Sequence, residues 1–432
     1  MVVLALRCSP GARNAPLQRY FLIRPRSGHH NYAYELCIDQ DRLHCSCPKG
    51  NDRMMTPYLK RAWAEVSLPQ LRKNIGIIRE LNAPGTEIMA VVKADAYGHG
   101  YDRVCECLAG ECGIKYFAVS NLDEAIAVRE LCPDADILIL GYTPPEYAHE
   151  ISGNNIIQGV VSMEYAQALC KNSSEKVRCH IKIDTGMGRI GLRYDTPAEC
   201  AAEIARICGV EGLSAEGIYT HFAVADSDDP DNVAYTDRQE KFITDTYDEL
   251  VKLGIKLPHV HFMNSAATCY RNSARSTLSR AGIIIYGLHP DISLDIPEGL
   301  EPVMELKAVI SQVKTVPAGT CISYGRTFTS EHEMRIATVT IGYADGYSRL
   351  LSSKGEILVR GKRCRIVGRV CMDQLMIDVS DVPEAVSGDI VTLIGRDGDE
   401  MITADELASV YGTIGYEVVC GISKRVPRIY VE

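Results

Sequence analysis

Eight apolar runs that alternate with amphipathic stretches limit the fold more than any other feature of the sequence. Helical periodicity separates them, as in Asn121 to Leu131 and Asn232 to Leu253. Apolar strands that alternate with helices are typical of a parallel sheet buried on both faces, and eight such units predict an α/β fold with a (β/α)8 TIM-type barrel. A doubly wound sheet is the alternative, although no glycine-rich dinucleotide fingerprint follows a run. The runs cover residues 88–94, 115–120, 136–142, 156–162, 177–183, 214–222, 259–264 and 283–288.

The pattern changes on both sides of this segment. Residues 1–57 contain Arg, Pro, Gly, His and Asn clusters without a sustained period, and we interpret them as a poorly ordered N-terminal extension. Met54 and Met55 suggest the hypothesis that the folded protein begins there. Residues 58–298 form the predicted barrel. Residues 299–432 are rich in Val, Ile and Thr with tight turns, which predicts an all-β domain with one short helix at Thr403 to Tyr411.

Composition excludes several classes of partner. The net charge of -10 argues against binding to nucleic acid or to an anionic membrane. The apolar start Met1 to Leu6 is too short for a signal peptide and no later run approaches a membrane span, so we expect a cytoplasmic protein. Seventeen cysteines are scattered along the chain. Neither Cys45-Ser46-Cys47 nor Cys105-Glu106-Cys107 has zinc-site spacing, and we expect no metal.

A lysine at the end of the first apolar run is the first candidate for chemistry. Lys93 leaves the run 88–92 and is followed by Tyr97 and by a turn with glycines on both sides of His99. Such a lysine is either paired with an acid such as Asp95 or has a lowered pKa for amine chemistry with a carbonyl. Taken alone, the ion pair is the simpler explanation.

Further candidates follow later strands, where barrel enzymes place their active sites. They are Lys182, Asp184, Arg189, His221, Asn264, Ser265 and Arg280, the last of which leads into the eighth run. Loops near strands seven and eight commonly bind phosphate, which makes Ser265 and the amides of Gly282 and Ile283 candidate phosphate ligands.

Each candidate also has an ordinary structural explanation. His221 fits a core histidine, Arg189 and Arg280 fit surface charges, and the glycines at 186, 188 and 191 fit turns. Their coincidence with Lys93 at one end of the barrel favours a shared site. A phosphate site beside a Schiff-base lysine indicates pyridoxal 5'-phosphate.

From about residue 58 to its end, the chain resembles the alanine racemases, which are pyridoxal-phosphate enzymes with a barrel and a β-domain. In the barrel the resemblance rests on residues 91–100, 182–191, 220–223 and 264–268. In the β-domain it rests on Ser323-Tyr324-Gly325, Gly342-Tyr343-Ala344-Asp345-Gly346, Cys371-Met372-Asp373-Gln374 and residues 412–417.

The resemblance implies a homodimer with shared active sites and an amino-acid racemase, which is an isomerase that supplies D-alanine for peptidoglycan. Lys93 would hold the cofactor as a Schiff base and act as the base for the D-enantiomer. Tyr324 of the partner subunit would act on the opposite face, with His221 and Arg280 close enough to tune it. Arg280 would also contact the pyridine nitrogen and keep it unprotonated, which disfavours side reactions.

The resemblance assigns further roles to single residues. Asn264 and Gly282 would belong to the cofactor site. Arg189 would contact the phenolic oxygen of the cofactor and the substrate carboxylate, helped by the amide of Met372 from the partner. Lys182 would be a candidate for carbamylation, with a negative charge that orients Arg189. The phosphate ligands would be Tyr97, Ser265, Tyr416 and the amide of Ile283, and the narrow substrate access route would be lined by Asp226, Tyr343, Arg349 and Arg369.

The chain departs from the family pattern at few positions. Asp95 and Gly415 stand where asparagine is frequent, and the long extension is atypical. A serine or broad-specificity racemase is the nearest alternative, but Tyr416 favours a methyl side chain. Barrel decarboxylases usually place an acid where this chain has Arg280. A non-catalytic cofactor-binding barrel would lack the β-domain and therefore Tyr324.

Overall fold

The computed structural model describes residues 61–432 and the backbone of four two-residue strands closer to the N-terminus. These short strands pair in two antiparallel ladders. The segments Met1–Leu59 and Lys60–Glu432 are two separate compact units. Apart from the short strands, the predicted extension over residues 1–57 and the proposed start at Met54 and Met55 lie outside the described residues. The short strands are Tyr20–Phe21, Glu35–Leu36, Ile38–Asp39 and Arg42–Leu43.

Eight parallel strands form a closed barrel, which confirms the predicted fold class. In chain order the neighbours run 7-6-5-4-3-2-1-8. A parallel bridge between Met263 and Ser279 closes the gap between strands seven and eight, and the amide of Arg280 donates to the carbonyl of Met263 at 2.9 Å. The strands are Glu87–Val91, Tyr116–Val119, Asp136–Ile139, Ile157–Val160, Val177–Lys182, Leu213–Tyr219, His259–His261 and Leu278–Ala281.

The eighth strand lies earlier in the chain than the apolar pattern predicted, so that prediction was wrong. Leu278–Ala281 pairs with Glu87–Val91, whereas the run predicted at 283–288 contains the 3-10 turn Ile283–Tyr286. All residues of this turn are fully buried. A segment buried on every side is apolar whatever its secondary structure, so the apolar run does not identify a strand. Arg280 therefore lies within the eighth strand.

Helices cover the outside of the barrel, and side-chain caps set where several begin. The helical pattern predicted from Asn121 corresponds to the helix Leu122–Leu131. This helix begins after Asn121 because the Asn121 side chain accepts from the amide of Glu124 at 3.0 Å and caps it. The pattern from Asn232 starts earlier, as the helix Pro230–Lys252, because Asp229 caps it and proline is favoured in the first turn. No helix of the described chain is long and apolar enough to cross a membrane. The other helices of this part are Leu68–Leu81, Tyr101–Glu106, the π-helical turn Cys107–Glu111, the 3-10 turn Pro145–Tyr147, Ala148–Gly153, Met163–Lys171, Pro197–Cys208 and Ser265–Tyr270. Lys93–Tyr97 is a short turn whose residues 94–97 have positive φ.

The C-terminal part forms a nine-stranded sheet. The first strand of residues 61–432, Ala62–Ser67, belongs to this sheet: it pairs antiparallel with Met304–Val316 and parallel with Arg428–Val431. The predicted helix is present as Ala404–Tyr411, with Thr403 as its cap, and Gly415–Gly421 follows. The remaining strands of the sheet are Met334–Val339, Glu356–Val359, Lys362–Arg365, Leu375–Asp378, Ile390–Asp397 and Glu400–Ile402, and a separate hairpin pairs Cys321–Ile322 with Phe328–Thr329.

Candidate active site

A cavity of about 410 Å³ opens at the carboxyl ends of the barrel strands. It brings together most of the barrel residues that the sequence singled out, which come from the ends of five different strands, and Tyr416 from the helix Gly415–Gly421. Asp184 does not line it. Ile283 is buried next to Gly282 and does not line the cavity. The predicted site residues that line it are Lys93, Tyr97, Lys182, Arg189, His221, Asp226, Asn264, Ser265, Arg280, Gly282 and Tyr416.

Lys93 is followed by an unusual backbone turn. Four successive non-glycine residues, 94–97, have φ between +52° and +57°, which makes one left-handed turn. Each such residue costs roughly 1–2 kcal/mol relative to the right-handed conformation. Strain of this kind persists only where the surrounding structure holds it, and it is concentrated at functional sites.

Two carboxylates hold this turn through backbone amides. Glu124 accepts from the amide of Ala94 at 2.9 Å and from the amide of Ser120 at 2.8 Å. Asp95 accepts from the amide of Tyr101 at 3.0 Å. Within residues 61–432, neither carboxylate forms an ion pair with Lys93, so the simple pairing with Asp95 is not what the structure contains.

The amine of Lys93 is held in an electropositive place. Burial lowers its pKa from the ordinary lysine value, and the positive charge of Arg189 lowers it further, against smaller opposing effects of Cys420 and Glu124. A lysine whose charged form is disfavoured is a better nucleophile toward a carbonyl near neutral pH. This environment favours the amine chemistry over the solvated point charge.

Arg280 lies in the barrel interior with neutral partners only. Its guanidinium donates to the carbonyl of Thr220 at 2.6 Å and to Nδ1 of His261 at 2.9 Å, and Nδ1 of His221 lies 3.5 Å away. Among the described residues, no carboxylate pairs with it. Burial lowers the pKa of Arg280 to about 10, which leaves it cationic at neutral pH. The surface-charge explanation for Arg280 is therefore wrong.

His221 is kept neutral by the same surroundings. Burial and then the charges of Arg280 and Arg189 lower its pKa well below the usual histidine value. A guanidinium can only donate, so the facing Nδ1 of His221 is an acceptor and the ring proton lies on Nε2.

Polar groups suited to a phosphate converge at the other end of the cavity. The amide of Gly282 lies 2.9 Å from Oγ of Ser265, and a Cβ at position 282 would lie 2.8 Å from the hydroxyl of Tyr97. The rings of Tyr97 and Tyr416 are 6.1 Å apart. Only a glycine at 282 leaves this space open, and burial raises the pKa of both tyrosines, so both hydroxyls remain donors.

The loop after the fifth strand presents an exposed arginine to the cavity. Oδ1 of Asp184 accepts from the amides of Gly186 and Gly188 at 3.1 and 2.9 Å, which fixes the turn before Arg189. Gly191 has φ +124°, and a Cβ there would lie 2.9 Å from Cγ of Lys182. Glycine is therefore required at position 191 because the backbone there lies close to Lys182, and not only because of the positive φ of the turn.

Lys182 lies beneath this loop with its amine buried. Its Nζ donates to the carbonyl of Ile183 at 2.8 Å and lies 5.3 Å from the ring centroid of Tyr219. Burial, and then the charge of Arg280, lowers its pKa to about 7. A large part of this lysine is therefore neutral near pH 7.

Both halves of the chain match models of one protein family. Residues 66–290 match the alanine racemase N-terminal domain and residues 303–430 match the C-terminal domain. The alanine racemase of Desulfovibrio desulfuricans is 44% identical over 382 residues, which are 88% of this chain and 100% of that protein. That of Methanococcus maripaludis is 41% identical over 376 residues, 86% of this chain and 98% of that protein. This chain belongs to the alanine racemase family.

Solved structures of alanine racemases agree with this family assignment. The alanine racemase of Bacillus anthracis with bound L-Ala-P has a TM-score of 0.80 at 40% identity and covers 87% of this chain and 96% of its own. The alanine racemase of Clostridium difficile in complex with cycloserine has a TM-score of 0.76 at 37% identity, with 86% and 96% covered. Family membership makes the chain an isomerase, as the sequence predicted.

A second group of predicted alanine racemase residues lies away from this cavity. Tyr324, Met372 and Tyr343 are 71%, 52% and 42% exposed. Hydrogen bonds join the segments that carry them: the amides of Tyr343 and Ala344 donate to the carbonyls of Cys371 and Met372, both at 3.0 Å, and Oγ of Ser323 donates to the carbonyl of Arg369 at 2.8 Å. Of the residues predicted for the shared site, Tyr324, Met372, Tyr343, Arg349 and Arg369 do not line the cavity of their own chain.

Sequence reasoning missed several residues of the site in this alanine racemase fold. Tyr219 lines the cavity, its ring is stacked 5.0 Å from that of His261, and Glu124 holds the turn after Lys93. Two-residue alternation back from His221 is a signal that would have pointed to Tyr219. Glu124 is the third residue of a helix, and nothing in the linear sequence connects it to Lys93.

Proposed function

We propose that this chain is a pyridoxal 5'-phosphate-dependent alanine racemase that interconverts L-alanine and D-alanine and supplies D-alanine for peptidoglycan. The observation that carries the proposal is one cavity that holds Lys93, with its lowered pKa, together with the fully buried cation of Arg280. Family membership gives the reaction class, and the residues of this cavity support the proposal.

The residues of the cavity fit the cofactor group by group. Lys93 supplies the amine for a carbonyl carbon, and Arg280 supplies a donor for a ring nitrogen. Ser265, Tyr97, Tyr416 and the backbone around Gly282 supply neutral donors for a phosphate, while Asn264 holds the start of the adjoining helix by accepting from the amide of Ala267 at 2.9 Å. When bound, the cofactor supplies the electron sink that makes the Cα proton of an amino acid acidic.

Racemisation needs proton transfer on both faces of Cα, and one chain offers one of the two groups. Lys93 is the base on one face. We assign the other face to Tyr324 of the partner subunit, since Tyr324 is exposed and lies outside the cavity of its own chain. With its Nδ1 facing Arg280, His221 can donate through Nε2 to that phenolic oxygen, which favours the deprotonated phenol.

A homodimer with shared sites follows from the same reasoning. The exposed group around Tyr324 would lie over the partner's cavity, so residues 299–432 of each subunit complete the barrel site of residues 58–298 of the other. The other residues of the exposed group, Tyr343, Arg349 and Arg369, would narrow the route by which substrate reaches the cavity. They would face Asp226 of the other subunit. The backbone amide of Met372 would help to bind the substrate.

Arg189 is assigned to the substrate carboxylate. It lies on the cavity, is exposed, and has no hydrogen bond or ion pair to another residue of the described chain, so its planar fork is available to a carboxylate. Lys182 is assigned as a carbamate. Its neutral amine would attack carbon dioxide, form an N–C bond and release a proton, and the resulting anion would orient Arg189.

Chiral analysis of the purified protein in heavy water tests the function. With pyridoxal phosphate present, L-alanine is expected to become racemic while deuterium enters Cα, and L-serine is expected to react much more slowly. Bound cofactor without any D-alanine would reject the racemase. Comparable rates on both substrates would favour the serine or broad-specificity alternative.

Replacement of the second base separates a racemase from a cofactor carrier. Tyr324→Phe should lower turnover by at least ~10²-fold while the cofactor remains bound, because loss of a positioned acid or base typically costs 10²–10⁴-fold. Tyr147→Phe is the matched control, since Tyr147 is 48% exposed and lies outside the cavity. Equal turnover in the two variants would contradict the role of Tyr324.

A further inference from the structure

The hydrogen bonds of Arg280 continue into the barrel through two histidines. One guanidinium nitrogen lies 2.9 Å from Nδ1 of His261, and Nε2 of His261 lies 2.8 Å from Nδ1 of His180. All three side chains are buried, at 4%, 0% and 1% exposure. This short row lies behind the cavity, and neither histidine lines it.

The direction of each hydrogen bond in the row is fixed by Arg280. A guanidinium has donors and no acceptor, so Nδ1 of His261 must accept and its ring proton must lie on Nε2. That Nε2–H then donates to His180, which must accept at Nδ1 and carry its own proton on Nε2. Nε2 of His180 has no hydrogen-bond partner among the described residues, so no other contact opposes this arrangement.

Both histidines are neutral in this environment. Burial lowers the pKa of His180 to about 3 and that of His261 well below the usual value, with Arg280 as a further cause for each. Two other neutral groups enclose the guanidinium: the carbonyl of Thr220, and the ring of Tyr219, whose centroid lies 5.6 Å from its central carbon.

A buried arginine is usually paired with a carboxylate, because an unpaired buried charge is costly. At position 261 an Asp or Glu would provide that pairing, and the chain instead carries a neutral ring. Tyr219 stacks flat on His261, with an interplanar angle of 7° and centroids 5.0 Å apart, which keeps the ring from turning away from Arg280.

We propose that His261 is a positioning residue that orients Arg280 through a neutral nitrogen and leaves its positive charge unneutralised, with His180 securing the tautomer that this requires. The unneutralised charge disfavours a proton on the ring nitrogen of the cofactor that faces Arg280. This proposal rests on the proposed function, since it concerns how that ring nitrogen is held.

Two substitutions of different charge test the proposal. His261→Asp places an anion beside Arg280, and His261→Asn is the matched control with a neutral acceptor of the same size. The readout is the pH titration of the visible absorption of the bound cofactor, without substrate. An opposite charge close to a titrating group shifts its pKa by about 1–3 units, and the new carboxylate would lie behind Arg280. His261→Asp should therefore increase the ratio of protonated to unprotonated ring nitrogen roughly tenfold.

A second readout follows the fate of the amino acid. A protonated ring nitrogen is a stronger electron sink, so His261→Asp should release more pyruvate by transamination for each D-alanine formed than His261→Asn does. Identical titrations and identical pyruvate yields in the two variants would overturn the proposal. If the unsubstituted protein bound cofactor but made no D-alanine, the proposed function would fail instead, and the titrations would still test His261.

Neutron diffraction of the unsubstituted holoprotein tests the row even if His261→Asp does not fold. Deuterium is expected on Nε2 of both His261 and His180 and absent from both Nδ1 atoms. Deuterium on Nδ1 of His261, or on both nitrogens of that ring, would overturn the assignment.

Discussion

Complementation between two inactive variants tests the shared active site most directly. Lys93→Ala removes the amine of the barrel site, and Tyr324→Phe removes the proposed second base, which is 71% exposed and lies outside the cavity of its own chain. Each variant alone should have almost no racemase activity. In a mixed dimer, one site combines both substituted residues, and the other combines an intact Lys93 with an intact Tyr324.

The size of the recovery follows from the arrangement of the sites. If subunits exchange freely at equal concentrations, about half of the dimers are mixed and each has one good site, so about a quarter of the unsubstituted activity should return. The assay is D-alanine formation after the two variants are unfolded together and refolded, or after they are co-expressed. The control is each variant treated alone. A mixture that stays inactive although mixed dimers form would refute the shared site, because sites within one chain cannot complement.

Two further predictions concern the loop before the site and the stability of the barrel. Gly191→Ala should cost at least ~2 kcal/mol of stability and raise the KM for alanine through Arg189, because the new Cβ would lie 2.9 Å from Cγ of Lys182. Urea unfolding measures the stability and steady-state kinetics measure the KM. The control is Gly188→Ala, which has open space around it and should cost only about 1 kcal/mol. Equal losses would contradict the close-contact argument. The free energy of unfolding should decrease as the pH falls below about 6.5. Buried histidines whose pKa is lowered in the folded protein gain protons on unfolding, so the stability that they contribute at higher pH is lost. For the four histidines whose pKa is lowered most, the free energy of unfolding should fall by up to ~5 kcal/mol per pH unit near pH 5. Urea titrations at several pH values measure this, and a flat profile between about pH 7 and pH 5 would contradict it. The histidines are His99, His180, His221 and His261.

Much of the fold could be predicted because apolar patterns report burial. Seven of the eight barrel strands lie within or close to the predicted runs. The eighth does not. Ser279 and Arg280 interrupt the apolar pattern within Leu278–Ala281, whereas the fully buried turn that follows is a continuous apolar run. The placement of Ala62–Ser67 in the C-terminal sheet could not be predicted from the local sequence either, because its partner strand lies more than 200 residues later in the chain.

In the candidate site, too, some residues could be predicted from the sequence and others could not. Lys93, His221 and Ser265 could be found because they follow apolar strands, and a barrel brings the ends of its strands together. The interactions that set their properties could not be found in this way. Glu124 holds the backbone after Lys93 from a neighbouring helix, and the neutral surroundings of Arg280 exist only after strands six to eight are side by side.

The polarity of the barrel interior connects these observations. Lys93, Lys182 and Arg280 all have lowered pKa values, with burial as the first cause, and among the described residues none of them contacts a carboxylate. Burial of the charged forms of Lys93 and Arg280 is costly, because each cation loses hydration without gaining a counter-ion within the described chain. An anionic ligand recovers part of that cost. A phosphate and a carboxylate are the anions that the proposed cofactor and substrate would bring. The burial that makes these cations costly therefore also lowers the lysine pKa, and their unpaired charge favours the anions that the proposed chemistry needs.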